Sequence, residues 1–546
     1  MINQSKKTKN LIGILLFILL PLASCDSYIL ENTHEDMGYN YCYETELITF
    51  LIDDAPTTPA PHRPFDGNMH LNAYRFLWDE GRDRDWEEDI IFLASRFRRI
   101  SSTTTGLGLV SGHPLISGIL SPNLRWRSPE GLRPVLQSTD YTNRFLIREY
   151  RNLYDKELRM KFFDSINDLI AQIPELTDYE IIFGINRILA LIGDWHTRAY
   201  LVFTGEFAGR LPIWTTNHFD EQFSGVHLYS WPHPRATYVG IDSIINTRLL
   251  YINGVSIEEI YDKLRPITIY DRGNETSFRR STTKFLDRVA LRYIGVMQDE
   301  EIIPITVRDV YGNVFTVYAP FVASMDDIEL TAHQIDMEQF FMASRSDENY
   351  WFQYFPDESM MYLRYWRCEE MPHLPSLEFA QHLRNEIINK GGVDTFVLDL
   401  RSNPGGFPVI GIDYFLEWAM DEENRRLLGS VYVAVDSWTN SGGVITAAAW
   451  QTFLEDVVLI GSPPSGNLTF FTGPTTNLPN SGAELVVGHT GINLTANNQI
   501  NSILIPDIIV YRTLEDYINH HDAVIATIIE RATERRAQLK FYAGGL

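Results

Sequence analysis

Hydrophobic and polar residues follow three successive patterns along the chain. From Trp78 to about Leu191, apolar residues recur at three- and four-residue spacing, as in "WEEDIIFLASRFRRI" and "DSINDLIAQI", which predicts amphipathic helices. From about 200 to 325, short β-branched runs broken by Asn-Gly or Gly-Asn predict strands joined by tight turns, with one short helix at "IEEIYDKLRPI". From about 350, strands such as "DTFVLDL" alternate with helices such as "SLEFAQHLRNEIIN". This alternation predicts a largely parallel sheet with helices packed on it.

The three patterns predict an α/β protein of several domains. We place a helical N-terminal domain at 66–198, a small β-rich domain at 199–325 and an α/β core at 326–546. A capping sequence, Thr177–Asp178 followed by Glu180, predicts the start of the last helix of the helical domain. In a parallel sheet the functional residues lie at the C-terminal ends of strands, so we expect them in the segments after Leu400 and after Val435.

The first 24 residues predict a leader rather than part of the fold. Three lysines and no acids precede the apolar run "LIGILLFILLPLA", which is short for a membrane span. The run ends in "LASC", Leu22 to Cys25, which resembles the lipobox of bacterial lipoproteins. The resemblance implies cleavage before Cys25, lipidation of its thiol, and an anchor on the outer side of a bacterial membrane, at its periplasmic or extracellular face. The polar, proline-rich stretch 25–65 then reads as a tether. The alternative is an ordinary secretion signal with a chance cysteine.

Charge and cysteine content exclude several classes of function. The chain has 46 basic and 71 acidic residues, a formal net charge of −25, which argues against a nucleic-acid partner. Beyond Cys25 only Cys42 and Cys368 remain, which form no zinc pattern and no disulfide framework. In "INHHDAV" we expect the two histidines to be solvated and Asp522 to cap the final helix. We therefore expect no metal and no cofactor.

Two turns at predicted strand ends carry possible chemistry. In "VDSWTNSGGVITAAAW", Ser441 lies between a strand and a helix and is followed by Gly442 and a second glycine. Such a serine is either a plain helix cap or a nucleophile beside a bare backbone N–H. In "LDLRSNPGGF", Gly405 and Gly406 follow a buried strand and either expose N–H groups to an anion or form a plain turn.

A third segment, "LIGDWHTRAYL", places a histidine just after a predicted helix. His196 can act as a general base only if another group holds its tautomer, and Asp194 is the acid nearest in sequence. Considered alone, the segment favours a structural histidine.

Together and in this order, the three segments resemble the tail-specific (C-terminal processing) proteases and the tricorn core protease. The resemblance covers roughly 85–530 and is most specific at "VDTFVLDLRSNPGG" and at "VYVAVDSWTNSGGVITAAAW". It implies a PDZ-like domain within 199–325, a crotonase-like layered core, and a serine peptidase acting on peptides or proteins. It also implies that Ser441 is the nucleophile, that His196 is the general base, and that Gly405, Gly406 and Gly442 are candidates for the oxyanion hole.

The chain departs from the family pattern at two positions. One branch of the family uses a Ser–Lys pair, but the lysine position here is Asn467, and no lysine occurs between Lys390 and Lys540. The tricorn-like branch uses a glutamate shortly before Pro-Asp, where this chain has Asn498 and Gln499. Asp194 is then the candidate acid that orients His196. Two functions stay open: a lipid-anchored serine endopeptidase, and a non-catalytic relative that binds peptides or apolar ligands in the same cleft. The oligomeric state is not predicted.

Overall fold

The structure, a computed structural model, describes most of the chain from residue 81 onward. All described residues belong to one compact unit, 58–546. The predicted leader, Cys25, the tether, Asn498 and Gln499 lie outside them. None of the described helices is long and apolar enough to cross a membrane. The described residues are 81–103, 146–147, 156–200, 209–211, 213–218, 225–230, 247–282, 284–309, 311–321, 345, 348–406, 411, 414–454, 456–472, 475–487, 490–493, 503–513, 515–516 and 519–544.

The described strands and helices follow the order that the sequence patterns predict. The strands are β1 Leu146–Ile147, β2 Arg198–Tyr200, β3 Trp214–His218, β4 Gly225–Ser230, β5 Thr247–Ile252, β6 Val255–Ser256, β7 Ile302–Arg308, β8 Val314–Pro320, β9 Tyr350–Phe355, β10 Met360–Tyr365, β11 Thr395–Asp399, β12 Ser430–Val435, β13 Val457–Gly461, β14 Thr469–Thr472, β15 Thr475–Asn477, β16 Glu484–Val486, β17 Thr490–Asn493 and β18 Ile508–Ile509. The helices are α1 Arg82–Thr103, α2 Lys156–Gln172, α3 Asp178–Ala190, α4 Ile257–Leu264, α5 Glu275–Ser281, α6 Arg288–Tyr293, α7 Ser376–Asn389, α8 Leu416–Ala419, α9 Glu422–Arg425, α10 Gly442–Phe453 and α11 Ala523–Gly544.

A six-stranded sheet in the C-terminal part confirms the predicted α/β core. Its strand order is β18-β13-β12-β11-β10-β9. All neighbours are parallel except β9 and β10, which are antiparallel. The residues of β11 and β12 are buried throughout, because helices cover both faces of the sheet. The parallel register brings the ends of β11, β12 and β13 to one edge.

The region before this core is antiparallel, as its short strands and tight turns predict. Strands β3, β4, β5, β7 and β8 form one sheet in that order, with β6 paired to β5. Helices α4, α5 and α6 contribute buried side chains to its hydrophobic cluster, among them Ile260, Phe278 and Leu291. The structure thus contains a mixed α/β fold with several sheets. The boundaries at 198 and 325 remain predictions.

The helical region begins its last helix where the capping sequence predicts. The Glu180 carboxylate accepts hydrogen bonds from the N–H and the hydroxyl of Thr177, at 2.8 and 2.6 Å, so α3 starts with a capping box. A finding that the sequence pattern does not predict concerns the hairpin β15–β16. Leu478, Leu485 and Val487 pack in the same cluster as α1, α2 and α3. Strand β16 also pairs with β2, so a C-terminal segment completes the helical region.

A buried ionic network anchors the segment after β11. Asp399 accepts hydrogen bonds from the guanidinium groups of Arg364 and Arg401 and from the hydroxyl of Tyr362. Arg401 also bonds both carboxylate oxygens of Asp522, at 2.7 and 2.9 Å. The N–H of Ile525 donates to Asp522, which confirms the predicted cap of α11. The two arginines hold the pKa of Asp399 at about 2 despite its burial.

Candidate active site

Three loops meet at the C-terminal edge of the parallel sheet. The loop 400–406 follows β11, the loop 436–441 follows β12, and the loop 462–467 follows β13. The first two are bonded directly, because the N–H of Asn440 donates to the carbonyl of Asn403 at 2.9 Å. The third packs on the second: a Cβ atom at Gly466 would lie 3.3 Å from the Ser441 nitrogen. The edge therefore gathers the two turns on which the sequence analysis placed its chemistry.

Ser441 occupies a strained turn between β12 and α10. Its backbone has φ 46° and ψ −117°, a conformation that residues with a side chain rarely adopt. Such a residue costs about 1–3 kcal/mol and persists only where its surroundings fix it. Here the Asn440 side chain accepts a hydrogen bond from the Ser441 N–H at 2.8 Å. The Ser441 hydroxyl caps no N–H group of the helix. This strained strand-to-helix turn resembles a nucleophile elbow, in which a sharp turn presents a hydroxyl, and we call residues 436–441 the elbow.

Upstream of Ser441, the elbow is held by Asp436 and Thr439. The Asp436 carboxylate accepts from the N–H groups of Trp438 and Thr439, and from the N–H and hydroxyl of Ser402. The Thr439 hydroxyl donates to the carbonyl of Leu400 at 2.9 Å. These bonds join the two loops, so the turn that carries Ser441 is fixed by its neighbour.

The glycines beside Ser441 leave space that a side chain would fill. Gly405 and Gly406 both have φ 108°, in the region that favours glycine. A Cβ atom at Gly405 would lie 2.6 Å from the Cβ and 3.1 Å from the Oγ of Ser441. A Cβ atom at Gly442 would lie 2.5 Å from the carbonyl oxygen of Gly406. Glycine is therefore required by close approach, and not only by turn geometry.

The three candidate oxyanion donors differ in their hydrogen bonds. The N–H of Gly405 donates to Asn403 Oδ1 at 2.8 Å and is already engaged. Within the described residues, no hydrogen bond occupies the N–H groups of Gly406 and Gly442. The Gly405 amide thus serves to hold the turn, and the other two amides are the better candidates to receive developing negative charge.

His196 lies in a tight turn after α3, and Asp194 shapes that turn. The Asp194 carboxylate accepts from the Thr197 hydroxyl at 2.7 Å and from the His196 N–H at 3.4 Å. Its Oδ1 lies 3.6 Å from His196 Nδ1. In a regular helix, residues two apart do not face each other, but this turn brings the carboxylate alongside the imidazole. Both side chains are largely shielded from solvent, with 13% of His196 and 4% of Asp194 exposed.

Asp271, which the sequence analysis missed, is a second carboxylate beside His196. It accepts hydrogen bonds from the N–H of Trp195 at 2.7 Å and from the N–H of Asn467 at 3.1 Å. Burial, and then the nearby charge of Asp194, raise its pKa to about 6 against the opposing effect of His196. Its only sequence signal is an Asp-Arg-Gly-Asn turn. Nothing local connects that turn to a histidine 75 residues away.

Asn467, at the position of the family lysine, has a structural role. Its N–H donates to Asp271, its side-chain amide donates to the carbonyl of Arg272 at 3.1 Å, and its oxygen accepts from Asn274 at 3.2 Å. The side chain is buried within this network. Because the preceding residue, Gly466, contacts the elbow, residues 466–467 link Ser441 to the turn that carries His196. The Ser441 hydroxyl makes no hydrogen bond to any described residue.

One cluster among the described residues has spacing that a metal ion could use. Asp194, His196 and Asp271 each offer one ligand atom, and these atoms lie within 4.8 Å of one another. Each of the four carboxylate oxygens also accepts an N–H or O–H hydrogen bond, and these bonds fix both carboxylates beside the imidazole.

Comparisons with known proteins find remote structural likeness. No protein-family model and no curated protein matches the chain. Mature CPAF has a TM-score of 0.46 and 11% sequence identity, covering 72% of this chain and 96% of its own. The photosystem II D1 C-terminal processing protease has a TM-score of 0.31 and 13% identity, covering 66% of this chain and 91% of its own. The tricorn protease has a TM-score of 0.32 and 13% identity, covering 71% of this chain and 35% of its own. At these values the chain is similar to solved proteases without being assigned to their family.

Proposed function

We propose that the protein is a serine peptidase that cleaves exported peptides or proteins while anchored to a membrane by a lipid on Cys25. The observation that carries the proposal is the conformation of Ser441. A serine that only caps a helix accepts a hydrogen bond from a helix N–H and does not require positive φ. Ser441 has positive φ and makes no capping bond. Strain of this kind is characteristic of functional sites, and here it occurs beside two glycines whose N–H groups are candidates for an oxyanion hole.

In the proposed reaction, Ser441 Oγ attacks the carbonyl carbon of the scissile peptide bond, and its proton passes to His196. The resulting imidazolium is stabilised by Asp194 and Asp271, and it then protonates the leaving amine. The oxyanion of the tetrahedral intermediate receives hydrogen bonds from the N–H groups of Gly406 and Gly442. Each such donor contributes about 10²- to 10³-fold to the rate. Water then attacks the acyl-enzyme, with His196 again taking the proton.

Labelling with a fluorophosphonate probe tests the proposal. We expect the wild type to be labelled and Ser441→Ala not to be labelled. His196→Ala should remove nearly all labelling and hydrolysis of casein, and the double variant should be little worse, since the pair acts as a unit. A folded wild type that neither takes the label nor cleaves peptides would leave Ser441 as part of a binding protein.

The lipid anchor is tested separately. Cys25→Ser should abolish palmitate labelling and release the protein from membranes into the soluble fraction. Membrane association that survives this substitution would contradict the anchor without affecting the proposed chemistry at Ser441.

A further inference from the structure

Two arginines and two tryptophans lie beside both candidate catalytic residues. Trp195 precedes His196, Trp438 lies three positions before Ser441, and Arg198 and Arg280 lie against their rings. The Arg280 guanidinium carbon is 4.8 Å from the centre of the Trp438 ring and 5.9 Å from that of Trp195. The Arg198 guanidinium carbon is 3.7 Å from the Trp195 ring. We call these four residues the arginine–tryptophan patch.

Arg280 reaches the elbow through one hydroxyl group. Its Nη1 donates to Ser465 Oγ at 2.6 Å, and that hydroxyl donates to the carbonyl of Thr439 at 3.4 Å. Ser465 precedes Gly466, which packs against the backbone nitrogen of Ser441. The guanidinium therefore lies next to the loop that carries the candidate nucleophile.

Arg280 differs sharply from its sequence neighbour in how its charge is balanced. Arg279 forms ion pairs with Glu275 and Glu258, at 3.1 and 3.5 Å. Arg280 forms no ion pair with any described residue, and its bonded partner is the neutral Ser465. Burial is the main reason that the pKa of Arg280 is lowered to about 10; Asp436 and Asp271 oppose the lowering, and Arg198 contributes to it. A shielded cation without a carboxylate partner is costly for folding alone, and an anionic ligand would offset that cost.

The patch is also accessible from one side. Trp438 is 49% exposed, although it lies beside the buried elbow. Arginine suits carboxylates because its planar fork can donate two parallel hydrogen bonds, and indole rings can stack on the adjacent parts of a peptide. Next to the loop that carries Ser441, the Arg280 guanidinium can offer an anionic group a charge-assisted hydrogen bond.

We infer that Arg280 binds a carboxylate of the peptide substrate beside Ser441, an inference that rests on the proposed peptidase function. The carboxylate comes either from the C-terminus of the substrate or from an aspartate or glutamate side chain. Charge-assisted hydrogen bonds of this kind correspond to about a tenfold to hundredfold effect on kcat/KM.

Matched peptides distinguish the two sources. One peptide has a free C-terminus and one glutamate, a second has a C-terminal amide, and a third has glutamine in place of the glutamate. Wild-type kcat/KM should fall about tenfold or more for one of the two altered peptides. A fall with the amide identifies the C-terminal carboxylate, and a fall with the glutamine peptide identifies the side chain. Equal kcat/KM for all three peptides would overturn the inference.

Arg280→Gln should remove this discrimination, whereas the control Arg279→Gln should retain it, with thermal unfolding verifying that both fold. Binding of the same peptides to Ser441→Ala, measured by fluorescence anisotropy, supplies a readout that needs no catalysis. If the wild type cleaves nothing but Ser441→Ala binds carboxylate peptides through Arg280, the proposed function fails and the carboxylate site stands. If peptides are cleaved but Arg280→Gln distinguishes the carboxylate peptides from the altered ones as the wild type does, the inference about Arg280 is wrong and the proposed peptidase function is unaffected.

Discussion

Replacing Asp271 by asparagine tests the electrostatics of the candidate site. Asp271 is 1% exposed, and its pKa is raised from 3.8 to about 6. Below about pH 3 the carboxyl is protonated in both folded and unfolded chains and contributes no pH dependence. Between about pH 3 and 6 mainly the unfolded chain loses the proton, so this group lowers the free energy of unfolding as pH rises. Above pH 6 the whole loss persists.

The magnitude follows from the size of the shift. A pKa raised from 3.8 to about 6 corresponds to about 3 kcal/mol of stability lost at neutral pH. Asparagine cannot ionise and escapes this loss. Its amide NH₂ will face one of the two N–H groups that now donate to Asp271, and the lost hydrogen bond lowers the free energy of unfolding by about 1–3 kcal/mol. That cost is the same at every pH, so it cancels when the two conditions are compared.

Urea unfolding of the wild type and Asp271→Asn at pH 4.0 and pH 7.5 measures the effect. The stability of the variant relative to the wild type should rise by about 2.5 kcal/mol between the two conditions, because the unfolded chain is already partly ionised at pH 4.0. Asp262→Asn, at an exposed aspartate of α4, should show no comparable change. Peptide hydrolysis by Asp271→Asn should nevertheless fall by about tenfold or more, because one of the acids beside His196 is neutral. A relative stability that is constant, or that favours the wild type at pH 7.5, would refute the reasoning.

Three further predictions concern the two turns beside Ser441 and the buried ionic network of Asp399. Gly405→Ala should abolish fluorophosphonate labelling, since its methyl group would lie 2.6 Å from Ser441 Cβ, whereas Gly482→Ala, at another positive φ but in open space, should be labelled normally. Asn467→Lys should lower the melting temperature and create no activity at alkaline pH, because the side chain leaves a buried network instead of entering a Ser–Lys pair. Asp399→Asn should destabilise the protein at pH 7 by at least about 2 kcal/mol. The ionic part of that difference should vanish as pH falls from about 4 to 2, since the folded-state pKa of Asp399 is lowered to about 2.

The sequence predicts the parallel sheet well because its strands are short buried runs between amphipathic helices. The helix predicted at "SLEFAQHLRNEIIN" coincides with Ser376–Asn389. The segment "VIGIDYFLEWAM" predicts one helix, of which the structure describes an α-helix at Leu416–Ala419; residues 409–410 and 412–413 lie outside the described part of the chain.

The sequence identifies less of the candidate site than of the fold. It marks Ser441 as a cap or a nucleophile, but the positive φ that favours the second reading depends on contacts with residues 402–406 and 466. Asp271 and Arg280 give no local signal, because their partners lie far away in sequence: Trp195 is 76 positions from Asp271, and Ser465 is 185 positions from Arg280. Such contacts are properties of the assembled chain, and spacing alone does not encode them.

The pairing of β2 with β16 has a consequence for how the protein matures. The turn that carries His196 runs directly into β2, which is completed by Glu484–Val486, and Asp271 beside that histidine is held by Asn467. A growing polypeptide therefore contains the histidine long before it contains the segments that fix it. Until the ribosome has passed residue 486, the nascent chain lacks an assembled centre. Order of synthesis thus delays assembly of the candidate centre until the chain is nearly complete.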